Sequence, residues 1–417
     1  MVELLKKNKM FCRFMIYQVF SALGGGVFRL FMLLSVHLLY ENPIYTGIAA
    51  FLMMAPHFFA FAIGPVIDRA NKVKAMRLTT LTEFIAVGLL AFMYLQGRVH
   101  VLLMFAVILL YTVAQVFEVP SGNAFLRKTV NEHEIIKANS FINIAATVGG
   151  LIVAAFLFGA LGGDVEHSFI YALSAVFLLL SFTSTFYLKD GTTRAESVKK
   201  EDTFKKYIAE LKEGSRYVRG TKFLLYFLVA GIVASFFVDV AYTNMPEFAT
   251  THVGAQGYVV LTVVTLAGSL TSSILAGVVG DKFRIGILVC FVWIFAGVLR
   301  VGFAYALPVS YIGGLAIIFG YFTILGFSRI LRDTLIQKTP KENMVARVDT
   351  VHTTLLSISG ALGALAGGFI GYAVSSLAHV FVLHGVVYIL LGIVLILSPN
   401  IRRLPGVNEI KSDEDIP

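Results

Sequence analysis

Long apolar runs separated by short polar connections dominate the chain, and the runs have the length a lipid bilayer requires. A helix crosses the hydrocarbon with about 20 predominantly apolar residues. Twelve stretches qualify, at about 11–38, 44–67, 75–96, 99–119, 139–162, 168–188, 222–248, 257–279, 285–306, 309–331, 348–374 and 377–398. The pattern predicts an all-α membrane protein with twelve transmembrane helices. Gly and Pro interrupt several runs, as lipid-embedded helices tolerate. The first run is too long for a signal-peptide core and is followed by no small-residue cleavage site, so it is expected to stay as the first helix. One stretch breaks the pattern. Between Lys189 and Thr221 the chain turns polar, with Phe204, Ile208 and Leu211 at helical spacing among Lys205, Lys206, Lys212, Arg216 and Arg219. That is an amphipathic basic helix suited to an anionic inner-leaflet surface.

The pattern also repeats. Gly64 to Arg77 joins two apolar runs through a basic turn with one carboxylate, and Gly277 to Gly286 is a fainter copy, with Asp68 and Asp281 213 positions apart. A second echo pairs Lys128-Thr129 with Lys338-Thr339, Glu132 with Glu342, Lys137 with Arg347, Asn139 with Asp349 and Gly150 with Gly360, each 210 positions on. One six-helix unit used twice explains both echoes. The expected division is an N-terminal six-helix half (1–188), a cytoplasmic linker (189–221), a C-terminal half (222–398) and a cytoplasmic tail (399–417).

Composition agrees with a membrane chain: 57% of the 417 residues are hydrophobic and 14% charged, and the mean hydropathy is +0.81. A soluble domain carries nearer a quarter charged residues. A net charge of +9 also marks nucleic-acid binders, but the bases gather at every second connection, whereas the opposite connections hold only Arg98. By the positive-inside rule both termini are cytoplasmic, and the excess charge meets anionic inner-leaflet lipids rather than nucleic acid. Cys12 and Cys290 suggest neither a disulfide framework nor a metal site. No Walker loop, zinc-type spacing or Ser/His/acid set appears by spacing, so no catalytic residue, metal or cofactor is expected. An intramembrane enzyme is a distant alternative that would need His57 or His352 beside a nucleophile.

A few polar residues inside the runs are costly enough to demand a reason. An arginine near the bilayer centre costs about 2.5–3.5 kcal/mol even on the lenient scale. Arg29 follows Gly24-Gly25-Gly26, where either another backbone approaches closely or the helix bends. Glu83 is either a cavity carboxylate or a neighbour of Arg77 or another base. Glu118, beside Gln115, is either a proton site or a gate partner of Arg127. Asp239 stands 210 positions after Arg29, so the two occupy equivalent places in the repeat; they pair with each other or within their own halves. Asn244 follows Asp239 by a little over one turn. Arg300 snorkels, pairs with an acid or meets a ligand, in that order of expectation. Trp293 reads as packing before a stacking platform. Gly363, Gly367 and Gly371 form a small-residue stripe, as do Ala155, Gly159 and Gly163; each is either a sliding surface or a static seam.

The Gly64–Arg77 segment, with Gly64, Asp68, Arg69 and Lys72, resembles the signature loop of the major facilitator superfamily, and the resemblance spans essentially the whole chain. It implies the major facilitator fold, alternating access and a gating role for Asp68 with Arg69 and Lys72; Arg127, Asp281, Lys282, Arg347 and Asp349 join the cytoplasmic charge network. The pattern departs at Asn71, where glycine is usual and where asparagine also tolerates a left-handed turn. Pro120-Ser121-Gly122-Asn123-Ala124 through Ser140, the Val345–Thr350 region and the linker helix resemble the drug and macrolide exporter branch, which also holds siderophore exporters. The fifth helix lacks the proline of the antiporter motif. The implied function is proton-coupled export of a small amphipathic or hydrophobic compound, with Asp239, Glu118 and Glu83 as candidate proton carriers and Arg29 as interdomain partner or anion-binding group. An exporter or flippase of an anionic lipid, fatty acid or siderophore is the first alternative, and a non-transporting receptor the alternative of another class. A monomer in the plasma membrane, of a bacterial host, is expected.

Overall fold

The computed structural model describes residues 8–59, 70–130, 138, 142, 166–189, 200–279, 285–341, 344–402 and 404. These residues form helices and short connections. In chain order the helices are α1 (Lys9–Tyr40), α2 (Pro43–Met54) with a 3-10 turn (Ala55–Phe59), α3 (Lys72–Leu95), α4 (Val101–Thr129), α5 (His167–Ser184), α6 (Lys200–Gly220), α7 (Lys222–Thr243), α8 (Met245–Val279), α9 (Ile285–Val309), α10 (Tyr311–Lys338), α11 (Val345–Ala373), α12 (Ala378–Leu397) and α13 (Pro399–Arg402). Among the described residues nine helical segments are long and apolar enough to cross a membrane, and Pro43–Phe59 is a shorter apolar one. The fifth expected run, 139–162, lies outside the described residues apart from Ile142.

One segment, Lys222–Ala276, has 55 residues, which at 1.5 Å per residue is far longer than one crossing needs. The chain divides it twice. Helix α7 stops at Thr243, shortly before Pro246, which has no amide hydrogen to continue the helical hydrogen-bond ladder. Within α8, Gly254 has φ 73° and ψ 174°, a backbone geometry that only glycine adopts without strain. The opposite happens in α4, where the expected run ends at 119 but the helix continues through Pro120 to Thr129. The Ser121 hydroxyl donates back to the Phe117 carbonyl at 2.7 Å, next to the Val116 carbonyl that Pro120, lacking an amide hydrogen, gives no helical bond. Asn71 takes no left-handed turn. It is extended, at φ −68° and ψ 115°, and its side chain caps α3 by accepting from the Lys74 amide.

The chain packs as two units, Met1–Leu39 with Leu52–Phe204, and Tyr40–Phe51 with Lys205–Pro417. In the first, α3 lies against α4 and α5; in the second, α9 lies against α12 and α10, α7 against α11, and α8 against α10. Glycine sets how closely these helices approach. A Cβ on Gly297 would lie 2.5 Å from the Gly385 carbonyl, and one on Gly367 would lie 2.8 Å from the Val240 carbonyl. Gly363 faces the backbone of Phe236, Gly371 faces Asn244, and Gly368 faces Pro43 and Gly47. The α11 stripe is therefore a backbone-to-backbone seam inside one unit. Ser235 and Ser359 stitch it by donating to the Leu356 and Ile232 carbonyls. The matching stripe at Ala155, Gly159 and Gly163 lies outside the described residues. Because overpacking costs typically about 1–3 kcal/mol, Gly367→Val is expected to lower the unfolding midpoint in detergent by several degrees, read by size-exclusion chromatography after heating. Gly88→Ala, at a helix-interior position with nothing within 4 Å, should not lower it, because alanine favours a helix interior over glycine by about 1 kcal/mol.

Candidate functional site

In the first unit, α1, α3 and α4 bring Arg29, Glu83, Gln115 and Glu118 into one polar cluster. Tyr111, Gln115 and Glu118 recur at helical spacing and so share one face of α4. Glu118 is buried and accepts from two hydroxyls of α1, Tyr17 at 2.5 Å and Ser21 at 2.7 Å. Glu83 of α3 is completely buried and lies beside Glu118, close enough for the two carboxyl groups to interact. Neither Glu83 oxygen meets a donor among the described residues. A proton on either carboxyl would supply one. At the other end of the cluster, Arg29 donates to the Gln115 side chain at 3.3 Å, and Gln115 donates to the Tyr111 hydroxyl at 3.0 Å. Arg29 is exposed and within electrostatic reach of Glu83.

The triple glycine makes this arrangement possible. Helix α1 runs unbroken through it, so close approach, not a bend, is its role. A Cβ on Gly25 would sit 2.6 Å from the Tyr111 hydroxyl, and one on Gly24 would press Leu178 of α5. Ser174 of α5 donates to the Gly24 carbonyl at 2.8 Å. Phe28, one turn on, stacks on Tyr111 with centroids 4.0 Å apart.

Two expected pairings are not found. Arg77 does not neighbour Glu83; it donates to the Thr185 hydroxyl and carbonyl and lies 4.1 Å over the Phe186 ring. Arg127 is exposed and forms no ion pair with Glu118 among the described residues, because the Glu118 carboxylate turns instead to Tyr17 and Ser21.

The second unit holds the other expected residues in different settings. Arg300 does not snorkel and pairs with no acid among the described residues, because the face of α9 that carries it packs into the aromatic side chains of α10 and α12. Its guanidinium lies over Phe381, Tyr321 and Phe303. Asp239 is half-buried and within electrostatic reach of Tyr321 and Tyr388. Asn244 is buried, and its amide donates to the Val240 and Gly367 carbonyls, both at 2.8 Å, so it clasps α7 to α11. Trp293 is packing, as expected, and donates to the Ser328 hydroxyl at 2.8 Å.

Of the gating residues, Lys72 is buried and donates to the Ala70 carbonyl at 2.9 Å. Arg347 pairs with Glu213 of α6 at 2.6 Å, and Asp349 is exposed. Gly64, Asp68, Arg69, Asp281 and Lys282 lie outside the described residues.

Tyr17, Ser21, Tyr111, Tyr321, His384 and Tyr388 were not singled out by sequence. A signal for some of them was present in the repeat. Trp293, Tyr321 and Ser328 each stand 210 positions after Glu83, Tyr111 and Glu118, so the Trp293–Ser328 bond occupies the places of the carboxylate pair.

A family model described as Major Facilitator Superfamily matches residues 14–364. No curated protein sequence matches the chain. Among solved structures, a mutant of the nucleoside transporter NupG is 13% identical with a TM-score of 0.74, over 93% of this chain and 99% of that one. The xylose transporter XylE from E. coli, in an inward open conformation, is 12% identical with a TM-score of 0.68, over 96% and 98%. A bacterial homologue of the human lysosomal transporter Spinster is 12% identical with a TM-score of 0.60, over 93% and 94%. At these identities the likenesses establish the fold.

The carboxylate cluster makes a stability prediction. A hydrogen bond to a charged group contributes about 1.5–3 kcal/mol, so Tyr17→Phe is expected to lower the unfolding midpoint. Thermal unfolding of the purified variant checks this.

Proposed function

Because the chain belongs to the Major Facilitator Superfamily, a family of membrane transporters, we propose that it is a proton-coupled exporter of amphipathic or hydrophobic compounds. The observation that carries this reading is the Glu83–Glu118 pair. Two adjacent carboxylates in an apolar setting repel when both are ionised, so a shared proton relieves the pair. Proton loading and release then change how strongly Tyr17 and Ser21 of α1 are held. Arg29 is the fixed positive charge against which that change is felt. Asp239 is a second candidate carrier, in the other unit.

In this reading residues 1–188 and 222–398 are the two halves that alternate, 189–221 joins them on the cytoplasmic side, and Asp68, Arg69 and Lys72 gate the inner face. The plasma membrane of a bacterium and a drug- or macrolide-type cargo belong to the same proposal, supported by the sequence resemblance described above. A second reading, export or flipping of an anionic lipid, fatty acid or siderophore, is favoured by the two intramembrane arginines, Arg29 and Arg300.

The test is efflux driven by a proton gradient in inverted vesicles, across cationic, neutral and anionic amphiphiles. Wild type is expected to move at least one cargo against its gradient. An uncoupler should abolish this, and Glu83→Gln and Glu118→Gln should each reduce it at least tenfold while facilitated exchange persists. Transport indifferent to both the uncoupler and Glu118→Gln would sink proton coupling. Binding without any transport would replace the transporter with a receptor.

A further inference from the structure

Arg300 is the residue of the second unit whose burial is hardest to account for. Only 4% of its surface is exposed. Its guanidinium carbon lies 4.7 Å from the ring centroid of Phe381, 4.9 Å from that of Tyr321 and 5.4 Å from that of Phe303. Nε and Nη1 are buried and donate to no acceptor among the described residues. The ion pairs described in this unit join Arg329 and Arg332 to Asp333 and Arg347 to Glu213, and none includes Arg300. Beside it, His384 Nε2 lies 3.3 Å from the Tyr321 hydroxyl, while His384 Nδ1 is also buried without a partner among the described residues. Asp239 reaches the cluster electrostatically through Tyr321 and Tyr388 without an ion pair to Arg300.

An arginine keeps its proton in proteins, so this charge cannot be relieved by deprotonation. Cation–π contacts return about 0.5–2 kcal/mol, against an effective desolvation penalty of several kcal/mol per buried ion. Filling space between rings needs no charge. A methionine or leucine would pack there at lower cost, so the guanidinium calls for a role that packing does not supply. Its planar fork matches a carboxylate or a phosphate in two parallel hydrogen bonds. The rings around it offer an apolar surface to whatever body carries that head group.

We propose that Arg300 anchors the head group of an organic anion, a carboxylate or phosphate monoester on an aromatic or aliphatic body, with Phe303, Tyr321 and Phe381 as the apolar wall beside it. This rests on the reading of the chain as a transporter of amphipathic compounds and names the chemistry of the cargo. It places the anion anchor on α9 of the second unit, apart from the Glu83–Glu118 pair of the first.

The test is binding of radiolabelled 2-naphthoate and 2-naphthyl phosphate to the full chain in nanodiscs of zwitterionic lipid, with neutral 2-naphthamide as the isostere. At least one anion is expected to bind saturably and at least tenfold more tightly than the amide; which of the two does so identifies the head group. Arg300→Gln should weaken that anion at least tenfold while leaving the unfolding midpoint without ligand equal to or above that of wild type. Arg300→Lys, which keeps the charge and loses the fork, should weaken it severalfold and serves if the glutamine variant does not fold. The proposal is overturned by equal binding of anion and amide, or by unchanged anion binding in both variants. Chloride or inorganic phosphate displacing 2-naphthoate with equal potency would also overturn it, by reducing the site to one for inorganic ions. Binding is read without a gradient, so this result stands or falls separately from proton coupling in Glu118→Gln.

Discussion

Inside a bilayer every backbone amide and carbonyl must find its partner within the protein, and the rest of this structure follows from that constraint. It makes each crossing a helix and leaves side chains alone to provide contact and chemistry. Without a hydrophobic driving force between helices in lipid, close approach has to come from small residues and local hydrogen bonds. The seam of α7 and α11 is built that way. Gly363 and Gly367 remove side chains from the contact, and Ser235, Ser359, Thr243 and Asn244 bond across it to main-chain carbonyls. The same glycine logic at Gly24 and Gly25 brings α1 against α4 and α5, where it positions functional groups as well as backbone.

Polar side chains then become expensive, and the two units handle them differently. In the first unit the cost of two buried carboxyls is spread over a network: Tyr17 and Ser21 donate to Glu118, and Arg29 reaches Glu83 from beyond Gln115. In the second, Arg300 is enclosed by rings with two donors unmatched among the described residues. The repeat places Trp293 and Ser328 where the first unit has Glu83 and Glu118. A common helical frame thus carries a carboxyl pair at these places in one unit and a Trp–Ser hydrogen bond in the other.

The linker adds a third element. Helix α6 is basic and amphipathic, yet it is fastened to protein as well as suited to a lipid surface. Glu213 pairs with Arg347, a Cβ on Gly214 would meet the Arg347 carbonyl at 2.7 Å, and the Lys341 amide donates to the Tyr217 hydroxyl. Lys212, Arg216 and Arg219 stay exposed, available to anionic head groups.

The sequence by itself determined the helical crossings, the repeat offset and the short set of residues whose burial needed explaining. Run length and composition report directly on the cost of exposing polar atoms to lipid, and the 210-residue register is a property of the chain alone. It could not say which way each helix turns. In lipid both faces of a helix are apolar, so the alternation that marks the inner face of a soluble helix is weak, and helix rotation is set by neighbours. Packing between helices therefore set Glu83 beside Glu118 and not Arg77, Arg300 in an aromatic enclosure instead of at the surface, and Asn244 in a helix seam. The glycine triplet shows the same division. Its low helix propensity was plain from sequence, but whether it meant a hinge or a close contact depended on Tyr111 and Leu178 arriving from other helices.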